Sequence, residues 1–168
     1  MVAMTPLAAD LLILLRRDLR CLAREAALFP DDLALWRTVP GIANSAGNLA
    51  LHVAGNLQHF VGAVLGGSGY VRQREQEFAQ RKGTRAEVAA ALEVALAEVE
   101  RTLAALEPAA LDAAFPVPVA GVQPPTGRFL LHLAAHLAFH LGQVGYLRRA
   151  LTGDPTSTGG MGIQELAP

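Results

Sequence analysis

The chain has 168 residues and a formal net charge of −1, and hydrophobic residues make up 52% of it while aromatic residues make up only 5%. This length suffices for one domain with a full core, and a composition dominated by Ala and Leu favours packed helices over a β-sandwich. The near-neutral charge and the scattered arginines argue against a broad basic face, so we expect no nucleic-acid partner. The single cysteine, Cys21, excludes an internal disulfide framework and is typical of a cytoplasmic protein.

The first two predicted helices are bounded by recognisable start and stop signals. Thr5 can cap a helix whose first residue is Pro6, and its apolar pattern continues to about Leu28. After a connector, a second helix is predicted over about Ile42–Leu65. It should stop at the glycine-rich stretch 66–69.

A charged crossover at 70–81 leads to the third helix. Arg72 and Arg74 in the crossover either bind carboxylates of a ligand or form solvated local ion pairs. Thr84 and Glu87 have the spacing of a capping box, which predicts a helix that ends before Pro108. The proline-rich stretch 115–125 predicts an extended loop with one short β-like turn.

A fourth helix is predicted from a Thr126 cap to about Leu151, with Gly153 closing it. Four long helices joined by medium connectors predict an all-α four-helix bundle over residues 1–155. The remaining segment, 156–168, is predicted to be a C-terminal tail that is mobile or docked on a neighbouring surface.

Two predicted helices contain long stretches without any charge, namely the 34 residues 38–71 and the 19 residues 129–147. Both stretches are long enough to cross a bilayer. However, each one carries several Asn, Gln or His side chains, which are costly in lipid. We therefore expect buried helices of a soluble bundle and no membrane association.

The last helix carries a row of histidines, His132, His136 and His140, at intervals of four. Each step of four rotates the position by about 40° on a helix, so a neighbouring pair can face one ion while the outer two splay by about 80°. Imidazoles among apolar side chains need polar partners. A bound transition metal would provide one.

A second polar stripe crosses the second helix through Asn44, Asn48, His52 and Asn56, and His59 follows close to the same face. If the two charge-free helices pack together, His52 can meet a histidine pair of the last helix. Three imidazoles with one position left open are typical of a catalytic metal site. No Asp or Glu lies in either helix core, which argues against carboxylate-containing iron sites.

Other readings of these polar residues stay open. Either His136 and His140 or His132 and His136 could form the pair, and histidines on apolar faces are often core residues satisfied by hydrogen bonds. Side chains near the row could orient ligands or substrate, or satisfy one another between the helices. These candidates are Asn48, Asn56 and Gln143.

Three segments together resemble the DinB/YfiT-like superfamily. H-L-A-F-H-L-G-Q at His136–Gln143 is similar to its closing-helix motif H-x-x-x-H-x-G-Q. G-N-L-A-L-H-V-A-G-N-L-Q-H-F at Gly47–Phe60 resembles the second-helix motif of the DUF1572-type branch, and Arg72–Phe78 resembles the R-x-R-x-x-E-F crossover of that branch. The likeness spans about residues 41 to 153.

The resemblance implies an up-down-down-up four-helix bundle, often a homodimer, that binds a divalent metal, nickel or zinc. By motif position, the metal ligands would be His52, His136 and His140, with His132 and His59 as neighbouring or packed residues. Some relatives are thiol-dependent S-transferases and others are hydrolases. We therefore expect a metal-dependent S-transferase or hydrolase acting on a small molecule, with a low-molecular-weight thiol as a cosubstrate and no assigned catalytic acid or base. The alternative is a non-catalytic helical dimer whose histidine row is structural or a relic site.

Overall fold

The computed structural model describes residues 4–160 and 162–166, and these residues form helices and turns with two isolated β-bridges but no strand. The predicted all-α class is confirmed. The helices are α1 (Pro6–Ala27), α2 (Asp32–Leu35), α3 (Ala46–Leu57), α4 (Arg74–Ala79), α5 (Arg85–Ala105), α6 (Pro108–Asp112) and α7 (Thr126–Thr152), with a π-helix (Gln58–Leu65) that continues α3 and a 3₁₀ turn (Gln164–Leu166). Over the described ranges, no helix combines the length and the apolarity needed to cross a bilayer.

The four long helices pack around one apolar core. Helices α5 and α7 each contact both α1 and α3, whereas contact between α1 and α3 is slight. Fully buried side chains from all four helices fill the centre, among them Leu15, Val61, Leu103 and Leu130. This packing places α3 directly against α7, so the two charge-free stretches of the sequence are neighbours in space.

Local hydrogen bonds explain where α3 begins. The Ser45 hydroxyl accepts the Asn48 N–H at 3.1 Å, and Asn48 Oδ1 accepts the Ser45 N–H at 3.1 Å, which is a reciprocal cap. The turn before it contains Gly41 at φ 82°, a left-handed conformation that interrupts a helix. The predicted start at Ile42 is therefore wrong by four residues, and 39–45 is a non-helical connector.

Two other boundaries also differ from the sequence prediction. The crossover contains a short helix, α4, which the charge pattern did not indicate. Thr126 is the first residue of α7 and does not cap it, because its hydroxyl donates to the carbonyl of Ala113 at 3.1 Å. The preceding loop has the predicted β-like turn, with hydrogen bonds in both directions between Val119 and Val122.

The described part of the tail lies along α1 and α7. Arg148 of α7 is completely buried, and its Nε donates to Glu25 of α1 at 2.5 Å. The same guanidinium donates to the carbonyls of Asp154 and Thr156. Thr158 completes the connection by donating to Glu25 at 2.7 Å. One buried cation thus joins two helices to the segment that follows α7.

Candidate metal centre

Three histidines from α3 and α7 converge in the structure. His52 Nε2 lies 3.2 Å from His136 Nε2, which lies 3.0 Å from His140 Nε2. One ligand atom from each of the three residues falls within 4.8 Å of the other two. His52 is buried, whereas His136 and His140 are half-buried. The rings of His136 and His140 are nearly perpendicular, at 87°, so their nitrogens meet at one point while the ring faces do not stack.

The hydrogen bonds of the far ring nitrogens determine which tautomers are present. His52 Nδ1 lies 3.0 Å from Glu77 Oε2, and a carboxylate only accepts, so Nδ1 carries the proton. Arg72 Nη2 lies 3.1 Å from the same nitrogen, but it donates to Glu77 Oε2 at 2.8 Å. His140 Nδ1 likewise donates to Gln143 Oε1 at 2.7 Å. The Nε2 atoms of His52 and His140 are therefore both acceptors.

This assignment leaves the cluster short of donors. A neutral His136 has at most one proton on Nε2 and can donate it to His52 or to His140, but not to both. At least one lone pair at the convergence point then has no donor from the three rings. A cation at that point would satisfy all three nitrogens at once. The donor set therefore fits a divalent transition metal such as zinc or nickel, for which neutral imidazole is a preferred ligand.

The electrostatics keep the imidazoles of His136 and His140 neutral, as metal binding requires. Burial, followed by the neighbouring His140 and His52, lowers the pKa of His136 from 6.5 to about 4. Burial also lowers the pKa of His140, although its hydrogen bond to Gln143 acts in the opposite direction. At neutral pH both rings consequently offer lone pairs.

Glu77 is the site residue that reasoning from the sequence missed. It lies on α4 and is buried. Its two carboxylate oxygens accept hydrogen bonds from Arg72 Nε and Nη2, each at 2.8 Å. Burial raises the pKa of Glu77, but the hydrogen bonds from Arg72 and His52 outweigh this effect and hold the pKa below its ordinary value. Arg72 is thus in a local ion pair, as one reading predicted, but that pair is buried and not solvated. The crossover motif that contains both residues was the available signal.

Two residues of α3 hold Glu77 in place. Asn48 Nδ2 donates to the carbonyls of Glu77 and Gln80, each at 2.8 Å, and so fastens the end of α4 to α3. Gly55 makes room for the carboxylate, since a Cβ at this position would lie 2.2 Å from Glu77 Oε1. Asn48 therefore acts on His52 indirectly, through the position of α4.

The other candidates lie around the three rings without joining them. His132 is exposed and stacks on Phe129 and His136, with ring centroids 5.9 and 6.2 Å apart. His59 packs against Phe60, and burial together with the nearby Arg72 lowers its pKa. Over the described residues, His59 Nδ1 and the buried Asn56 Oδ1 have no hydrogen-bond partner.

Comparison with known proteins assigns the chain to a family. No curated protein and no solved structure shows a significant match to the chain. The sequence profile of the DinB superfamily, however, matches residues 13–144, which is most of the chain. The matched range includes His52, His136, His140 and the crossover with Glu77. The chain therefore belongs to the DinB superfamily.

Proposed function

We propose that this chain is a divalent-metal protein that holds nickel or zinc through His52, His136 and His140. The observation that carries the proposal is the convergence of three imidazole nitrogens with too few protons to satisfy one another. The partners of the outer rings support it as well. A ligating histidine usually donates its other N–H to a carboxylate or an amide oxygen, and Glu77 and Gln143 occupy those places here.

The activity that we propose is a metal-dependent S-transfer or hydrolysis on a small molecule, with a low-molecular-weight thiol as the cosubstrate of the transfer. A divalent ion held by three imidazoles lowers the pKa of a thiol or water nucleophile to near neutrality. The residues of the chain itself then have positioning roles. Glu77 holds the His52 ring and its tautomer, while Gln143 does the same for His140. Because Arg72 and His52 already engage Glu77, this carboxylate is a positioning residue and not a general base.

The proposal extends to the organisation of the protein. We infer an up-down-down-up four-helix bundle over residues 1–155 with a tail at 156–168, forming a homodimer in the cytoplasm. The mutual packing of α1, α3, α5 and α7 supports the bundle, and the single cysteine supports a reducing compartment. Sedimentation analysis of the purified chain tests the dimer.

Metal analysis of protein purified without a histidine tag tests the proposed centre. We expect about one equivalent of zinc or nickel per chain and nearly complete loss in the double variant His136→Ala, His140→Ala, with helicity retained. His132→Ala is the matched control on the same helix and should keep its metal. A metal-free wild type, with the double variant altered only in stability, would instead indicate a non-catalytic helical dimer with a structural histidine row.

A further inference from the structure

A cavity of about 460 Å³ adjoins the histidine cluster on one side. Its walls come from the 39–45 connector, the first turn of α3 and the second half of α7. His140 and Gln143 form the wall nearest the cluster, and the rest is largely aliphatic, with Val39, Ile42 and Leu147 among the lining side chains. Among the residues that the structure describes, no Asp, Glu, Lys or Arg lines it. The volume lies within the range of small-molecule sites.

The late start of α3 creates this cavity. Because the helix begins only at Ala46, the preceding residues cross in an irregular path, with Gly41 in the left-handed region and the Ile42 N–H bonded to the Val39 carbonyl at 3.0 Å. Ile42 and Tyr146 in the lining are left 47% and 77% exposed. Apolar side chains are therefore accessible next to a polar cluster.

The charges around the cluster are distributed unevenly. The buried ion pair of Arg72 and Glu77 lies on the side of His52, whereas the cavity opens on the side of His140. A ligand that enters the cavity therefore meets uncharged polar groups, namely those of Asn44, His140, Gln143 and Tyr146, and otherwise aliphatic surface. A charged ligand group would lose its hydration there without gaining an ionic partner.

From this arrangement we infer that the cavity binds the apolar, uncharged part of a small-molecule substrate whose reacting group is presented to the three-histidine centre. The substrate class is thus a neutral molecule with an aliphatic or aromatic tail. This inference rests on the proposed function, because it takes the histidine cluster as the reacting centre. The cavity thus determines substrate specificity, while the histidine cluster determines the reaction.

Straight-chain hydroxamic acids provide the test, because their head group chelates zinc or nickel and their tail length can be varied. Titration of the metal-loaded protein by calorimetry should show that affinity rises by about fourfold for each methylene that becomes buried between acetohydroxamic and octanohydroxamic acid. A hydroxamate of equal length that ends in a carboxylate should lose most of that gain.

Two variants test whether the alkyl chain of the hydroxamate binds in this cavity. Ile42→Asp places a charge in the cavity wall, and Ala150→Trp fills the cavity from an exposed position of α7. Each should weaken octanohydroxamic acid by at least about tenfold and leave acetohydroxamic acid unchanged. Val94→Asp is the matched control, since Val94 is 50% exposed on α5 and does not line the cavity.

The possible failures can be told apart. Tight binding of acetohydroxamic acid without any gain from longer tails would overturn the cavity assignment and leave the metal centre intact. A gain from longer tails that persists undiminished in Ile42→Asp and Ala150→Trp would also overturn it, because the tail would then lie elsewhere. Failure of every hydroxamate to bind, together with a metal-free protein, would overturn both the cavity assignment and the proposed function.

Discussion

Glu77 accepts a hydrogen bond from His52 Nδ1 at 3.0 Å across 25 residues of sequence, and so connects the crossover to the histidine cluster. This bond determines that His52 presents its Nε2 lone pair toward His136 and His140. A carboxylate placed behind a histidine in this way also makes the ring a stronger electron donor. The relationship makes the crossover part of the candidate centre, and it leads to the first two predictions.

Glu77→Gln should weaken metal binding. The amide keeps the size of the side chain but carries no charge, so Arg72 loses its ionic partner and the His52 ring becomes a weaker electron donor to a metal. We expect a loss of about 10- to 100-fold in metal affinity, measured by competition with a chromophoric chelator. Glu75→Gln is the control, because Glu75 is exposed on the same helix. Equal metal affinities in the two variants would show that Glu77 does not contribute to metal binding.

Gly55→Ala should disturb the same carboxylate from the other side. The new methyl group would lie 2.2 Å from Glu77 Oε1, so the carboxylate must leave Arg72 or His52. We expect weaker metal binding with an unchanged helical circular dichroism spectrum. Gly142→Ala on α7, where a Cβ meets nothing within 4 Å, should instead bind metal normally. It should gain up to about 1 kcal/mol of stability from helix propensity. Wild-type metal affinity in Gly55→Ala would contradict the close approach of Gly55 to the Glu77 carboxylate.

The metal-free protein should lose stability on mild acidification. The pKa of His136 is about 4 in the folded chain against 6.5 for an ordinary histidine, so the unfolded chain binds more protons between these values. The free energy of unfolding should therefore fall as the pH decreases from about 6.5 to about 4. Urea titrations across this range measure the effect. His136→Ala should flatten the pH dependence, whereas His132→Ala should alter it much less, because His132 contributes less to the lowered pKa of His136 than burial, His140 and His52 do. An equally steep dependence in His136→Ala would assign the effect to other groups.

Arg148→Ala should be strongly destabilising. The guanidinium is completely buried, and its removal leaves Glu25 without its cationic partner and the carbonyls of Asp154 and Thr156 without donors. Breaking such a pair costs about 3–5 kcal/mol, which urea denaturation measures, and cleavage after α7 by a protease should accelerate. Arg149→Ala is the neighbouring control and should cost at most about 1 kcal/mol. A loss that small in Arg148→Ala would contradict a structural role for the buried cation.

The long helices and the histidine row were predictable because their signals are local. Thr5, the capping box at Thr84 and Glu87, and the intervals of four between histidines each depend on neighbouring residues only. The pairing of His52 with the last helix followed from two uncharged stretches that need to be buried together. Its assignment as a metal ligand stays a prediction.

Glu77 was not predictable by the same reasoning, and the predicted start of α3 was wrong although a local cap marks the observed one. Glu77 lies in a segment whose charges are typical of a solvated surface, and only the hydrogen bonds of Asn48 to the end of α4 carry it into the interior. The two sequence interpretations of Asn48, orienting a ligand or satisfying polar groups between helices, do not include its reciprocal hydrogen bonds with Ser45, which begin α3. The role of Glu77 is thus set by tertiary contacts that spacing alone does not reveal, whereas the cap of α3 is a local signal between residues three apart.

Because the 39–45 connector lies outside the regular helices, the cavity wall can change in evolution without a change in the histidine cluster. The three imidazoles belong to regular helices whose geometry is constrained by the core, whereas much of the cavity wall belongs to an irregular segment outside those helices. Substitutions or insertions in such a segment are tolerated far better than changes within a packed helix. Divergent descendants of this chain can therefore acquire new ligand preferences through residues 39–45 while the histidine geometry is inherited unaltered.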